Sequence, residues 1–151
     1  MANLVGSASQ LSTFSAIRTI MKKSSILNAK FGTDDYYEYE PATKGGDFNK
    51  HPYIVINDPQ ATQEEETFNS IVRFKEYPII IELVVEYSAR SNFVSYANAV
   101  IDVIEKNESD LESSGYYNTK IDFNGSDVEI INQHRNIRGT FTLGLDGTVS
   151  R

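Results

Sequence analysis

The side chains whose types and spacing come closest to a chemical site are four carboxylates near the N-terminal third of the chain, Asp34, Asp35, Glu38 and Glu40. In an extended strand Glu38 and Glu40 share one face, so two carboxylates could meet one cation. The Asp-x-Asp-x-Asp-Gly spacing of a calcium loop is absent, and charges on an edge strand also block unwanted sheet pairing. Solvated edge charges are the favoured interpretation, and a bound cation is the alternative left open.

No other residues have the spacing of a known catalytic site. His51 and His134 are far apart, and neither has a second ligand two to five residues away. No glycine-rich turn leads to Lys-Ser/Thr, no Gly-x-Ser-x-Gly turn is present, and there is no cysteine for thiol chemistry or zinc. We expect no catalytic residues, no cofactor and no metal, and therefore a protein that is not an enzyme.

Two arginines close to the C-terminus invite a geometric test. If Arg135 and Arg138 both lie in the last strand, their spacing of three puts them on opposite faces, where they cannot clamp one phosphate. Salt bridges to acidic residues of the same chain are one interpretation. A place at a subunit interface or along a pore is the other.

Charge is abundant and unevenly placed in the 151 residues. The 14 basic and 21 acidic residues give a net charge of −7, which repels nucleic acid, and no apolar run is long enough to span a membrane. Residues 1–31 carry +4, residues 32–132 carry −13 and residues 133–151 carry +2. Either the basic ends pair with the acidic body inside one subunit, or they orient neighbouring subunits.

The elements that position these residues follow from hydrophobic periodicity. Apolar residues at helical spacing predict helices from Ser9 to Lys23 and from Phe93 to Ile104, the second capped by Ser91 or Asn92. Two short strands joined by a loop are expected within residues 34–41 and 51–59, and a hairpin turn is expected at Asn124-Gly125 between strands 117–123 and 126–132. A last strand covers Ile137 to Leu145. Residues 57–67 are polar and are expected to form an exposed, mobile loop.

The strongest strand pattern runs from Phe68 to Ser88, with Pro78 at a bend. One face of its second half is wholly apolar, whereas the other mixes apolar and acidic residues, as a surface covered by another element or subunit would. The subunit-interface candidates on this second face are Ile80, Glu82, Val84 and Glu86, and Arg135 and Arg138 are added as partners in intersubunit salt bridges.

The order of elements predicts an α+β fold with two layers, in which two main α-helices pack on one face of an antiparallel or mixed β-sheet. We expect a single domain over residues 1–151.

Five segments together resemble the tail-terminator, or tail-completion, proteins of long-tailed bacteriophages. They are the basic N-terminal helix, residues 37–41 leading to 51–56, the strand 78–87, the helix 93–104 and the closing segment 136–143. The resemblance implies an α+β virion protein, made in the host cytoplasm, that forms a hexameric ring on the head-proximal end of the tail tube. Such a ring stops tube polymerisation, joins tail to head through neck or connector proteins, and lets DNA pass without binding it specifically.

The resemblance also suggests which residues touch partners. The tube- or neck-contact candidates lie in the polar loop and are Asn57, Asp58, Gln60, Glu64, Glu65 and Glu66. Two alternatives remain open: a head-closure, stopper or other neck component, and, more distantly, a ligand-binding or enzymatic α+β domain built on the tyrosines and carboxylates of residues 34–40. A deep pocket holding perturbed carboxylates would favour the last.

Overall fold

The computed structural model describes residues 10–41, 52–57, 66–68, 71–131 and 134–150. The helices of this part of the chain are α1 (Gln10–Met21), α2 (Ser25–Lys30), α3 (Phe93–Lys106) and α4 (Glu108–Ser113). Its strands are β1 (Tyr36–Tyr37), β2 (Tyr53–Asn57), β3 (Glu66–Phe68), β4 (Ile71–Glu86), β5 (Tyr116–Ile131) and β6 (His134–Ser150).

The strands form one mixed sheet in the order β1-β2-β4-β6-β5, and β3 pairs with the beginning of β4. β1 runs parallel to β2, and every other pair is antiparallel. β4, β6 and β5 are the long strands. The 16-residue β5 is one edge of the sheet, and the short strands β2 and β1 lie on the other side of β4.

The helices cover one face of this sheet. Alternate residues of the long strands point into a common core with the apolar stripes of α1 and α3, and the short helices add Leu27 and Leu111. The buried core side chains of the strands include Ile54, Ile56, Ile79, Ile81, Leu83, Val85, Phe141, Leu143 and Leu145. The predicted α+β fold, with a mixed sheet and two main helices on one face, is confirmed.

The starts of the helices differ from the predictions. α3 follows directly from a 3-10 turn, Tyr87–Asn92, and Asn92 has helical dihedral angles without a capping side-chain hydrogen bond, so the predicted cap is wrong. Because the turn already continues into the helix, the Phe93 N–H donates to the Arg90 carbonyl instead. α1 ends at Met21, and α2, which the sequence did not predict, begins after Ser24, whose hydroxyl accepts from the Leu27 N–H at 3.3 Å.

The predicted hairpin turn at Asn124-Gly125 is also wrong. β5 continues through these residues, and its pairing with β6 shifts register between Phe123 and Gly125. Gly125 has φ +117°, which favours glycine. Bulges and tight turns both use a glycine with positive φ, so the Asn-Gly pair in the sequence does not tell one from the other. The hairpin instead closes where Ile131 pairs with His134.

The polar loop is shorter than predicted. Glu66 and Thr67 belong to β3, where Glu66 pairs with Arg73, because the beginning of β4 offers them a strand to pair with. Pro78 lies within β4 opposite Gly144, in a stretch that neither β2 nor β3 pairs within the described residues. A proline is tolerated there because one side of the strand needs no ladder partner.

Candidate functional site

The sheet face away from the helices, called the open face below, carries the charged groups. Its side chains come from β2 (Tyr53, Val55, Asn57), β4 (Ile80, Glu82, Val84, Glu86), β6 (Arg138, Thr140, Thr142) and β5 (Asp127, Glu129). Their assignment to one face follows from strand alternation and from the register of directly opposed residues.

Arg138 lies at the centre of an ion cluster on the open face. Its Nη1 and Nη2 donate to the two oxygens of Glu40 at 2.9 Å each, and its Nε donates to Glu129 Oε1 at 2.7 Å. Glu82 Oε2 lies 3.4 Å from Nη1. One guanidinium thus joins three carboxylates, one of them bidentate, the geometry in which a guanidinium binds a carboxylate most strongly.

The cluster is tightly held. The Arg138 side chain is only 15% exposed. Burial alone would lower its pKa, but the hydrogen bonds that Arg138 donates to Glu40 and Glu129, together with the charges of Glu40 and Glu82, outweigh burial and raise the pKa. Tyr53 donates its hydroxyl to Glu40 Oε2 at 2.7 Å, and burial, followed by this bond and the Glu40 charge, raises the Tyr53 pKa. The Arg138 guanidinium therefore keeps its positive charge, and the Tyr53 hydroxyl its proton, across ordinary pH.

A small apolar cluster lies beside these charges. Tyr53, Val55 and Val84 are buried together, and the Tyr37 ring meets the Tyr53 ring edge-on at 5.8 Å between centroids. Among the interface candidates, Val84 is thus covered by its own chain, Glu82 is bound to Arg138, Ile80 is half-buried and Glu86 is exposed.

Arg135 lies on the opposite face from Arg138, as the spacing of three predicts. Its guanidinium carbon lies 4.2 Å from the centroid of the Tyr87 ring, and that of Arg90 lies 4.7 Å from the same centroid. The two arginines therefore meet at one tyrosine at the end of β4. The sequence analysis missed Tyr87 and Arg90, because a cation–π pair between a turn and a distant strand has no local spacing to reveal it.

The acidic residues 34–40 do not form the shared face on which the cation alternative depends. β1 ends at Tyr37, so Glu38 and Glu40 lie beyond the strand. Asp35 accepts from the Gly32 N–H at 2.6 Å at the start of a 3-10 turn, and Glu40 binds Arg138. Over the described ranges, no group of three or more His, Asp or Glu residues could hold a metal ion.

Grooves line the helix layer rather than the ion cluster. One groove, of about 390 Å³, lies between α2 and α3 beside Ile26 and Asp102, and one of about 240 Å³ adjoins it. A third, of about 110 Å³, lies next to Glu86 and Tyr96. Glu40, Glu82 and Glu129 line none of these three grooves, so the carboxylate cluster is not part of a deep pocket there.

The outer half of the β5–β6 hairpin, residues 126–131 and 134–138, is called the hairpin tip below. Its helix-side face exposes 53% of Val128 and 72% of Ile130. Asp127 and Glu129, which alternate with them, lie on the open face. The alternation Asp-Val-Glu-Ile at residues 127–130 was visible in the sequence. Its position beyond the helices was not predicted, because a turn was expected at Asn124-Gly125.

No helix of the described chain is long and apolar enough to cross a membrane.

No protein-family model matches the sequence. The curated proteins contain no match either. One solved structure that resembles the chain is described as "Virion of native gene transfer agent (GTA) particle", with a TM-score of 0.47 and 14% identity over 95% of this chain and 98% of the other. At that TM-score the likeness carries no functional conclusion for this protein.

Proposed function

We propose that the protein is a structural virion component, a tail terminator whose copies form a ring on the end of a phage tail tube. The ring stops polymerisation of the tube and presents the surface that joins the tail to the head. In this proposal the functional residues make contacts between proteins and catalyse no reaction.

The observation that carries the proposal is the edge strand β5. It is 16 residues long, no strand of the described chain pairs with its outer side, and it exposes Phe123, Val128 and Ile130. Long edge strands and clustered exposed apolar side chains favour association, and proteins that stay monomeric usually protect such edges. In a ring of identical subunits, this edge and its exposed apolar side chains would contact the neighbouring subunit.

The segments that resemble tail terminators support the proposal in a second way. They fall in order on α1, β1–β2, β4, α3 and β6, the elements that build one core. The acidic open face suits a ring through which DNA passes, since like charges remove the counterion-release gain that holds DNA to a protein.

The predicted contact residues are refined by their surroundings. Glu86 and Arg135 reach the surface and are proposed as direct subunit contacts, and half-buried Ile80, six residues from Glu86 along β4, is proposed as a further contact. Val84, Glu82 and Arg138 are proposed to support that surface from within the chain. Asn57 ends β2 and Glu66 begins β3, so the proposed tube or neck contact starts and ends on the sheet. Asp58, Gln60, Glu64 and Glu65 lie outside the described residues and complete the proposed contact.

A capping assay tests the function. The purified protein is added to tail tubes growing from the tube protein of the same genome, and the tubes are measured by electron microscopy. We expect rings at one end only, and arrest of growth at far less than one copy of the chain per copy of tube protein. Tubes that keep growing with no bound rings contradict the proposal. Binding to a portal or adaptor ring instead of a tube end favours the neck component.

A further inference from the structure

We infer that the helix-side face of the hairpin tip binds the open face of the hairpin tip of the next copy of this chain. The inference rests on the proposed ring and names the surface through which its subunits meet.

The helix-side face is cationic and unpaired. Arg90 and Arg135 both stack on Tyr87, and the Arg90 Nη1 also donates to the Tyr87 carbonyl at 3.3 Å. Within the described ranges neither guanidinium forms a salt bridge, although the chain as a whole carries a net charge of −7. Two guanidinium groups that stack on one ring and have no salt-bridge partner among the described residues are suited to receive carboxylates from outside.

Apolar side chains adjoin these cations. Ile130 is directly opposite Arg135 in the ladder, and Val128 is directly opposite Ile137. The helix layer stops short of this stretch, which leaves Val128 and Ile130 exposed. An apolar centre beside charged groups is the usual composition of an interface between proteins.

The opposite face of the same hairpin tip is acidic. Asp127 is directly opposite Arg138, and Glu129 is directly opposite Asn136. Arg138 neutralises Glu129, but Asp127 is exposed and forms no salt bridge among the described residues, and Glu86 is exposed on the neighbouring strand. The open face of the hairpin tip therefore offers carboxylates, whereas its helix-side face offers guanidinium groups.

One hairpin thus carries both halves of a complementary contact, on opposite faces. Such a surface cannot pair with itself about a two-fold axis, because each face needs the other kind. Copies must add head to tail, and a head-to-tail contact closes into a ring when the rotation per copy allows it. This two-faced design favours a second copy of the chain over an unrelated acidic protein as the occupant.

The test compares the mass of the assembled protein with that of variants, by light scattering and native mass spectrometry at matched concentrations. Arg135→Glu and Ile130→Asp are each expected to weaken assembly at least tenfold. Their matched controls are Arg18→Glu on α1 and Ile26→Asp on α2, whose isoleucine is 48% exposed. The controls are expected to assemble like the unmodified protein. Circular dichroism checks that each variant is folded, which is expected because Ile26, Ile130 and Arg135 are exposed and Arg18 is only half-buried.

A charge exchange tests the pairing itself. Asp127→Arg alone should weaken assembly, and Asp127→Arg combined with Arg135→Glu should recover most of it. A ring that survives Arg135→Glu and Ile130→Asp unchanged overturns the inference but leaves the ring function standing. Failure of the double variant to recover overturns the assigned acidic face. An unmodified protein that stays monomeric at all concentrations and on tube ends overturns both the inference and the proposed function.

Discussion

Arg138 is the residue on which the open face depends. Three of its nitrogens reach Glu40, Glu82 and Glu129, which come from the segment after β1, from β4 and from β5. A single side chain therefore ties residues that are up to 98 positions apart in sequence. Lysine could supply the charge but not the planar fork that binds Glu40 through two oxygens.

Replacing Arg138 by Gln is expected to destabilise the protein, because three carboxylates then repel each other without a cation between them. We expect a loss of about 2 kcal/mol, less than the roughly 3–5 kcal/mol of a fully buried pair because the carboxylates remain partly exposed. Urea unfolding at neutral pH measures the change. Arg138→Lys should lose less. Lys106→Gln, which removes an exposed helical pair with Asp102, should lose almost nothing. An Arg138→Gln variant as stable as the unmodified protein would contradict this prediction.

Tyr36 gives a prediction in alkaline solution. Burial, followed by the charge of Asp35, raises its pKa from 10.0 to about 12. Below pH 10 the hydroxyl keeps its proton in both states, so stability does not change. Between pH 10 and about 12 the unfolded chain loses the proton while the folded chain keeps it. The free energy of unfolding should then fall by up to about 1.4 kcal/mol per pH unit on account of Tyr36.

The variant Tyr36→Phe isolates this effect. Its alkaline loss of stability should be smaller than that of the unmodified protein, whereas Tyr117→Phe, at an exposed tyrosine, should leave the slope unchanged. The Tyr36 hydroxyl is buried and has no hydrogen-bond partner among the described residues, so its removal should also stabilise the protein at neutral pH by about 1 kcal/mol. Equal alkaline slopes for Tyr36→Phe and the unmodified protein would show that the residue does not titrate as proposed.

At the scale of single residues, the face on which a side chain lies was predictable from the sequence, but the residue that it binds was not. The opposite faces of Arg135 and Arg138 followed from a two-residue period alone. The binding of Arg138 to Glu40 did not, because the two belong to elements that only the folded sheet brings together. Tyr87 between two arginines was invisible for the same reason.

Among the elements, α3 and β6 meet at Gly139. A Cβ at this position would lie 2.4 Å from Phe93 Cζ and 3.3 Å from Phe123 Cε1. The first residue of α3 thus packs its ring directly on the backbone of a central strand. Only glycine leaves room for this contact, which fixes the start of the helix on the sheet.

Gly139→Ala is therefore expected to force Phe93 away and to cost about 1–3 kcal/mol in unfolding free energy. The control is Gly144→Ala in the same strand, where the nearest atom to a Cβ is the Lys120 carbonyl oxygen at 4.0 Å. Adding Phe93→Leu to Gly139→Ala should lose less than the two single losses combined, because a smaller side chain accommodates the new methyl group. Strictly additive losses would indicate that the two positions are not coupled.

Element types were predictable where periodicity was strong. The alternation of β4 and the apolar stripe of α3 identified the central strand and the main helix, because burial on one face leaves a period of 2 or 3.6. β5 was divided wrongly because a positive-φ glycine serves turns and bulges alike. β3 and α2 were missed because three to six residues give too short a pattern.

For the whole molecule, part of the uneven charge is paired within one chain. Lys23 near the N-terminus forms a salt bridge with Asp110 of α4, and Arg138 near the C-terminus binds the acidic body. These two contacts join the basic ends to the acidic middle, as the intrasubunit alternative expected. Arg135 and Arg90 form no salt bridge among the described residues, and they are the cations that the inferred subunit contact uses.

The whole molecule should unfold in one step, because the buried residues of α1, α3 and the long strands share one cluster. Neither layer can lose its partner and keep its own apolar side chains out of water. We expect the unfolding curves from far-ultraviolet circular dichroism and tyrosine fluorescence to coincide in urea.

Substitutions in the two layers make this test stricter. Ile17→Ala in α1 and Leu143→Ala in β6 both truncate fully buried side chains. Each should lower the single midpoint for both probes, with a loss of about 2–5 kcal/mol, and leave the dependence on urea concentration unchanged. If Ile17→Ala shifts only the helical signal while the sheet unfolds at its original midpoint, the layers are separate folding units. If the midpoints of both signals instead shift together, the helix layer and the sheet unfold as one unit. The helix layer then helps to hold the open face and the hairpin tip in place, because destabilising α1 destabilises the sheet that carries them.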